Sequence, residues 1–263
     1  MDKKTNRIIA LLLILCSFSF PLYTQAQEQK KQNIYFSSTS FSVLLTGGNT
    51  KDFFFSMDTV QNLVWDKHKF KLAGQIIYTR SNGEKKSEIY NAALHYNLQL
   101  NPRTYFLVLS HFSRNVPSGY NFRFAFSSGA GYTWLASKKI NTSTELAFGW
   151  SSENNADKLA QQVIGNKMTT IQSNVSSSFI SSIMTTKLDY LLAPSTEFVI
   201  QETIFLDLRE FQRYRLYSYT AISAAINKHF ALKTSVQVNY ENKPVPGFKN
   251  TDLYLLSSIV FKI

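Results

Sequence analysis

Residues 122–134 read FRFAFSSGAGYTW. Alternate positions belong to two different kinds of surface. Phe122, Phe124, Phe126, Ser128, Ala130, Tyr132 and Trp134 form one set; Arg123, Ala125, Ser127, Gly129, Gly131 and Thr133 form the other. Side chains along a strand alternate between the two faces of a sheet, so the stretch predicts a strand with one aromatic face and one small or polar face.

The same division recurs along the chain. Residues 230–240 place Phe230, Leu232, Val236, Val238 and Tyr240 on one face, and Ala231, Lys233, Ser235, Gln237 and Asn239 on the other. Residues 70–78, 90–100 and 140–150 split likewise. After residue 30 no helical period persists, and no apolar run approaches the roughly 18 residues of a spanning helix. The chain reads as about twelve strands, roughly 40–48, 52–65, 69–80, 87–100, 104–114, 121–136, 140–151, 169–192, 196–209, 213–227, 229–240 and 252–263. In the eighth, the apolar residues change parity near Phe179, which predicts a bulge.

The connections alternate in length. Short turns fall at Asp66-Lys67-His68, Asn101-Pro102-Arg103, Ser137-Lys138-Lys139, Ala193-Pro194-Ser195 and Asn227-Lys228. Longer loops fall at 81–86, 115–120, 152–168, around 210–212 and 241–251. Loop 152–168 has room for a short helical turn over 156–163, with a plain solvated loop as the default. Short turns at one end and longer loops at the other predict an all-β, antiparallel up-and-down transmembrane barrel, with periplasmic turns and extracellular loops.

Composition agrees. Charged residues are 17% of 263, against about 25% in an ordinary soluble domain. Aromatics reach 14%, while mean hydropathy is only −0.15. Apolar faces toward lipid and uncharged Ser, Asn, Gln and Gly faces toward a lumen would produce that average. Aromatics gather near strand ends, with Trp65, Trp134 and Tyr190 toward the short turns and Trp150 toward the long loops, as the girdles of a membrane barrel would require. A soluble secreted β-protein also alternates and stands as an alternative.

The N-terminus predicts export. Lys3, Lys4 and Arg7 precede the apolar run 8–20, and Thr24-Gln25-Ala26 offers a small-x-small cleavage site. The expected organisation is a cleaved signal peptide over 1–26, a short periplasmic segment over 27–39 and a barrel over 40–263 in a bacterial outer membrane. Cleavage would remove Cys16, the single cysteine.

The stretch FSVLLTGGNTKDFFFSMD, with Gly48, Asn49 and Thr50 between two strands, is followed by an Asn-Pro-Arg turn before Tyr105 and by Ser128-Gly129-Ala130-Gly131-Tyr132. Over about residues 38–263 the chain resembles the YdiY-like family of salt-induced outer-membrane proteins, a domain family of unknown function. The resemblance implies an outer-membrane barrel and brings no catalytic residues.

Parity directs Asp58, His95, Arg123, Glu145, Lys187, Glu197 and Lys233 into the lumen, with Arg209 and Arg215 as further members. Such charges set ion or solute preference in an open pore, or pair and plug a narrow one. Glu202 falls on the apolar face of its strand. A Ser–His arrangement at His95 or His111 would be needed for a lipase-like hydrolase, but no motif specifies a nucleophile. No metal-ligand spacing or cofactor motif is present, and Gly47-Gly48-Asn49-Thr50 reads as a hairpin turn rather than a phosphate loop.

Part of the net charge of +11 would leave with the signal peptide, and the rest lies largely at the two rims, which suits anchoring to membrane lipid and lipopolysaccharide and not to nucleic acid. Barrel-assembly machinery is the expected partner during insertion. The sequence therefore predicts a non-enzymatic outer-membrane barrel: a small passive pore or an envelope-structural protein, with a hydrolase as the alternative.

Overall fold

The computed structural model describes residues 34–46, 51–155, 159–164, 167–172 and 176–263, with the backbone alone over 159–164 and 167–172. The expected signal peptide and the Gly48-Asn49-Thr50 turn lie outside the described residues.

Twelve strands close into an antiparallel barrel. They are β1 (Ile34–Leu45), β2 (Asp52–Trp65), β3 (His68–Ser81), β4 (Glu84–Gln99), β5 (Thr104–Asn115), β6 (Tyr120–Ala136), β7 (Ile140–Asn155), β10 (Ser176–Ala193), β11 (Thr196–Asp207), β12 (Tyr214–Ala225), β13 (Phe230–Glu241) and β14 (Thr251–Lys262). Two further strands, β8 (Leu159–Ile164) and β9 (Lys167–Gln172), form a separate hairpin between β7 and β10. Each barrel strand pairs with its chain neighbour, and β1 meets β14 to close the ring, from Ser38 opposite Lys262 to Phe41 opposite Ile259. Closure joins the first strand to the last, so the barrel is a continuous ring and not an open sheet.

Several expectations are corrected. The barrel begins at Ile34, inside the 27–39 stretch expected to precede it. The loop 152–168 is largely extended: β7 runs to Asn155, and residues 159–164 are strand rather than helical turn. The expected strand 169–192 is two elements, since Lys167–Gln172 belongs to the separate hairpin. No bulge occurs at Phe179; the β7–β10 ladder is continuous from Ser176 to Tyr190, and the shift lies between Leu191 and Ala193. Parity changes there because Phe179 is an inward-facing ring, buried against Phe205 with centroids 6.0 Å apart and covered by Arg209 and Arg213. The loop expected at 81–86 is a two-residue turn, Asn82-Gly83, with both residues at positive φ, the conformation that matches strand twist in a tight hairpin.

The Ser128–Tyr132 motif shapes the wall. A Cβ at Gly129 would strike the backbone of Leu146 and Ala147, and one at Gly149 the backbone of Phe126 and Ser127. Small residues on the inner face let β6 and β7 curve tightly, as closure demands.

The outer face is apolar and exposed: Phe126, Phe148, Leu232, Leu255 and Ile259 are each at least half exposed. The core lies inside the ring. One apolar cluster joins Tyr105, Leu107, Leu109 and Ala147 with Ile183; another joins Ile77, Ile89 and Leu256 with Phe54 and Tyr254.

Candidate functional site

The inward faces of the strands enclose a cavity of about 590 Å³. Of the charged residues directed inward by parity, Asp58, His95, Arg123, Glu145, Lys187 and Lys233 line it, as does Arg215. Glu197 occupies the inward face of β11 near the short-turn end, outside that lining. Glu202 faces outward halfway along β11, where the ladder to β12 is continuous, and accepts a 2.7 Å hydrogen bond from Ser218.

The long-loop half of the lumen is packed by charge. Arg123 pairs with Glu241 and lies 3.9 Å from Glu153. Arg215 pairs with Glu153 and lies 3.9 Å from Glu241. Arg213 adds contacts of 3.2 Å to Glu153 and 3.5 Å to Asp207, and Arg209 lies 3.3 Å from Asp207. The Tyr120 hydroxyl donates to Glu241 at 3.0 Å, and the Arg123 guanidinium stacks 3.1 Å from the centre of the Tyr120 ring. Arg123, Glu153, Asp207, Arg215 and Glu241 are all buried. Planar guanidinium groups suit this arrangement because each presents several donors in a fixed fork.

Loop 242–250 folds over the same end. Val245 is buried, Lys243 pairs with Glu210 and Asn242 donates to the Gln212 carbonyl at 2.9 Å. On the other side Phe248 packs over Gly119, and Ser118 donates to Asp252 at 2.6 Å. The loop thus ties the β11–β12 connection to the β5–β6 connection.

The remaining lumen is lined by polar side chains with specific partners. Asp58 accepts from Gln75 at 2.8 Å and lies 3.5 Å from Lys233, which donates to Ser40 at 2.8 Å. Asn91 donates to Gln75 at 2.8 Å. Tyr105 donates to Glu145 at 2.8 Å, and Lys187 lies 2.8 Å from Asp189. His95 and His111 both line the cavity, and among the described residues no serine hydroxyl hydrogen-bonds to either ring. Among the described residues no three His, Cys, Asp or Glu side chains converge as metal ligands.

Glu153, Asp207 and Glu241 were not among the residues singled out from the sequence. Their strands run to Asn155, Asp207 and Glu241, and extending the inward parity of β7 and β13 by two residues finds Glu153 and Glu241. The girdle residues occupy the outer rims. Trp65 stacks on Phe70 at 5.0 Å, Trp134 donates to Thr144 at 3.0 Å, and Lys139 lies 5.6 Å above the Tyr190 ring, all near short turns. Trp150 lies toward the long loops, 6.1 Å from Phe124.

Fold and lumen define a closed twelve-stranded barrel with a polar chamber, packed at its long-loop end. The chain belongs to DUF481, a family of proteins of unknown function, whose model matches residues 39–263. Similar solved structures include an outer-membrane channel of the COG4313 group from Pseudomonas putida F1, at 10% identity and a TM-score of 0.49, covering 91% of this chain and 100% of that one. The NanC porin is similar at 9% identity and a TM-score of 0.47, covering 86% and 96%. The translocator domain of the autotransporter NalP from Neisseria meningitidis is similar at 8% identity and a TM-score of 0.43, covering 98% and 95%. No curated protein matches the chain.

Proposed function

We propose that the protein is an integral outer-membrane barrel acting as a small, gated passive pore, its short turns in the periplasm and its long loops outside the cell. Support for the membrane comes from the outer face. Its strands turn Phe126, Phe148, Leu232 and Leu255, each at least half exposed, outward, and exposed apolar surface of this kind marks a membrane or partner surface. Barrel strands of 12 to 18 residues exceed the roughly 9–11 that cross a bilayer, so their ends project into water. With no water in the bilayer core, only a closed sheet satisfies its backbone there.

The gate is the Arg123–Glu153–Arg215–Glu241 cluster, the observation that carries the pore reading. Buried ion pairs are costly to desolvate, and hydrophobic residues of similar volume commonly replace them without loss of stability. A barrel needing only a plug could fill this end as it fills the side near Ile77, Ile89 and Leu256. A charged plug can instead part and admit water. Wild-type protein in planar bilayers is expected to remain mostly closed with rare small conductance steps, and a double variant Arg123→Ala/Arg215→Ala to open often. Silence from both, with the barrel folded, would leave a purely envelope-structural role.

A further inference from the structure

The short-turn half of the cavity holds charge that the gate does not use. Every carboxylate in the lining has a partner: Asp58 is held by Gln75 and Lys233, Glu145 by Tyr105, and Glu153 by Arg213 and Arg215. Two lining cations differ. Lys69 and Lys71 make no side-chain hydrogen bond or ion pair among the described residues.

Their neighbours are also uncommitted polar groups. The register places Asn62, Lys71 and His95 in one row across β2, β3 and β4, and Lys69 beside Asn97 in the next. All five line the cavity, and the side chains of Asn62, His95 and Asn97 make no hydrogen bond among the described residues, which leaves the two amide NH2 groups free to donate. Lys71 is influenced electrostatically by Lys187, Glu145 and Asp189 across the lumen, none of them in ion-pair contact with it. Leu109 and Ile183 on other strands narrow the space, so a bound group must be small. Two ammonium groups and adjacent amide donors on one wall form a site for negatively charged oxygen, where charge-assisted hydrogen bonds are strongest.

We infer that this β2–β4 wall binds a small oxyanion, a carboxylate or phosphate solute entering from the short-turn end. The inference rests on the lumen being a water-filled chamber, as the pore reading also holds, and not on its conducting.

The test is calorimetric titration of inorganic phosphate, and separately of citrate, into the full chain refolded in detergent at low ionic strength. Heat-modifiable gel migration verifies the barrel in every variant. Saturable binding of either anion to wild type is expected. Lys69→Gln/Lys71→Gln should weaken it about tenfold or more, the loss expected for hydrogen bonds to charged groups. The double variant Lys69→Arg/Lys71→Arg should keep it, and Lys85→Gln, which removes a lysine paired with Glu88 outside the cavity, should bind as wild type does. Absence of saturable binding by folded wild type, or equal binding by the double Gln variant, overturns the site. Silent bilayers with an intact titration would sink the pore and spare the site, and open channels without a titration would do the reverse.

Discussion

Tyr105 lies directly across the β5–β6 ladder from Gly131, and its ring fills the space that a Cβ at 131 would occupy. The ring cannot swing away cheaply. Tyr105 is 7% exposed, and its hydroxyl is held by Glu145 at 2.8 Å. Covering an inward glycine with a cross-strand aromatic ring stabilises a bent strand. Gly131→Ala is therefore expected to destabilise the barrel by about 1–3 kcal/mol through overpacking. Removing the ring with Tyr105→Ala should erase most of that penalty, so urea unfolding of the single and double variants should show strong coupling. Strictly additive effects would contradict the contact.

Glu241 receives both the Tyr120 hydroxyl and the Arg123 guanidinium, and lies near Arg215. Glu241→Gln keeps its shape and removes its charge, leaving Arg123 without its paired carboxylate. Breaking one partner of a buried pair costs on the order of 3–5 kcal/mol. The variant should unfold at lower denaturant and show more frequent openings in bilayers than wild type. Reduced stability with no change in openings would separate the cluster from gating.

Gly119 has a φ of 84°, and a Cβ there would approach the Phe248 ring to 2.7 Å. Gly119→Ala combines left-handed backbone strain with a collision at the loop that covers the lumen. Loop 242–250 should lift, and protease added to the long-loop side should cut there faster while the heat-modifiable barrel persists. Unchanged cleavage would mean that the loop is held by Lys243–Glu210 and Asn242–Gln212 without help from Phe248.

Much of this architecture is legible in the chain because strand periodicity has only two phases. Once Phe122–Trp134 fixes which face is aromatic, the same rule orients Asp58, Arg123, Glu145, Lys187 and Lys233 toward the lumen. The rule fails where an inward position is itself apolar. Phe179, Leu109 and Ile183 belong to packing inside the ring, and for Phe179 the reason lies in Arg209 and Arg213, two residues from a distant loop. It also fails at strand ends. Asn82-Gly83 needs only two residues because both adopt positive φ, whereas polar composition alone suggested a longer loop. The four-residue charge cluster is invisible to local reading, because its members come from β6, β7, β12 and β13 and meet only through closure.

Glu202 is an outward charge midway along its strand, whereas the outward Glu88 and Arg114 lie near the long-loop end. Glu202 is exposed, flanked in register by Thr186 and Ser218, and holds the Ser218 hydroxyl at 2.7 Å. On a membrane-facing wall a carboxylate lacks water, and its one hydroxyl partner offsets only part of that loss. Acidic side chains on the lipid face of a barrel cost less than the roughly 2–4 kcal/mol of a midplane Arg or Lys. Glu202→Leu is therefore expected to stabilise the protein in lipid vesicles by about 1 kcal/mol or more, raising the guanidinium midpoint, with Ser218→Ala in the same background adding little further change. In a soluble protein the substitution would add exposed apolar surface and raise aggregation instead. A lower midpoint in vesicles would show that this face of β11 does not meet lipid.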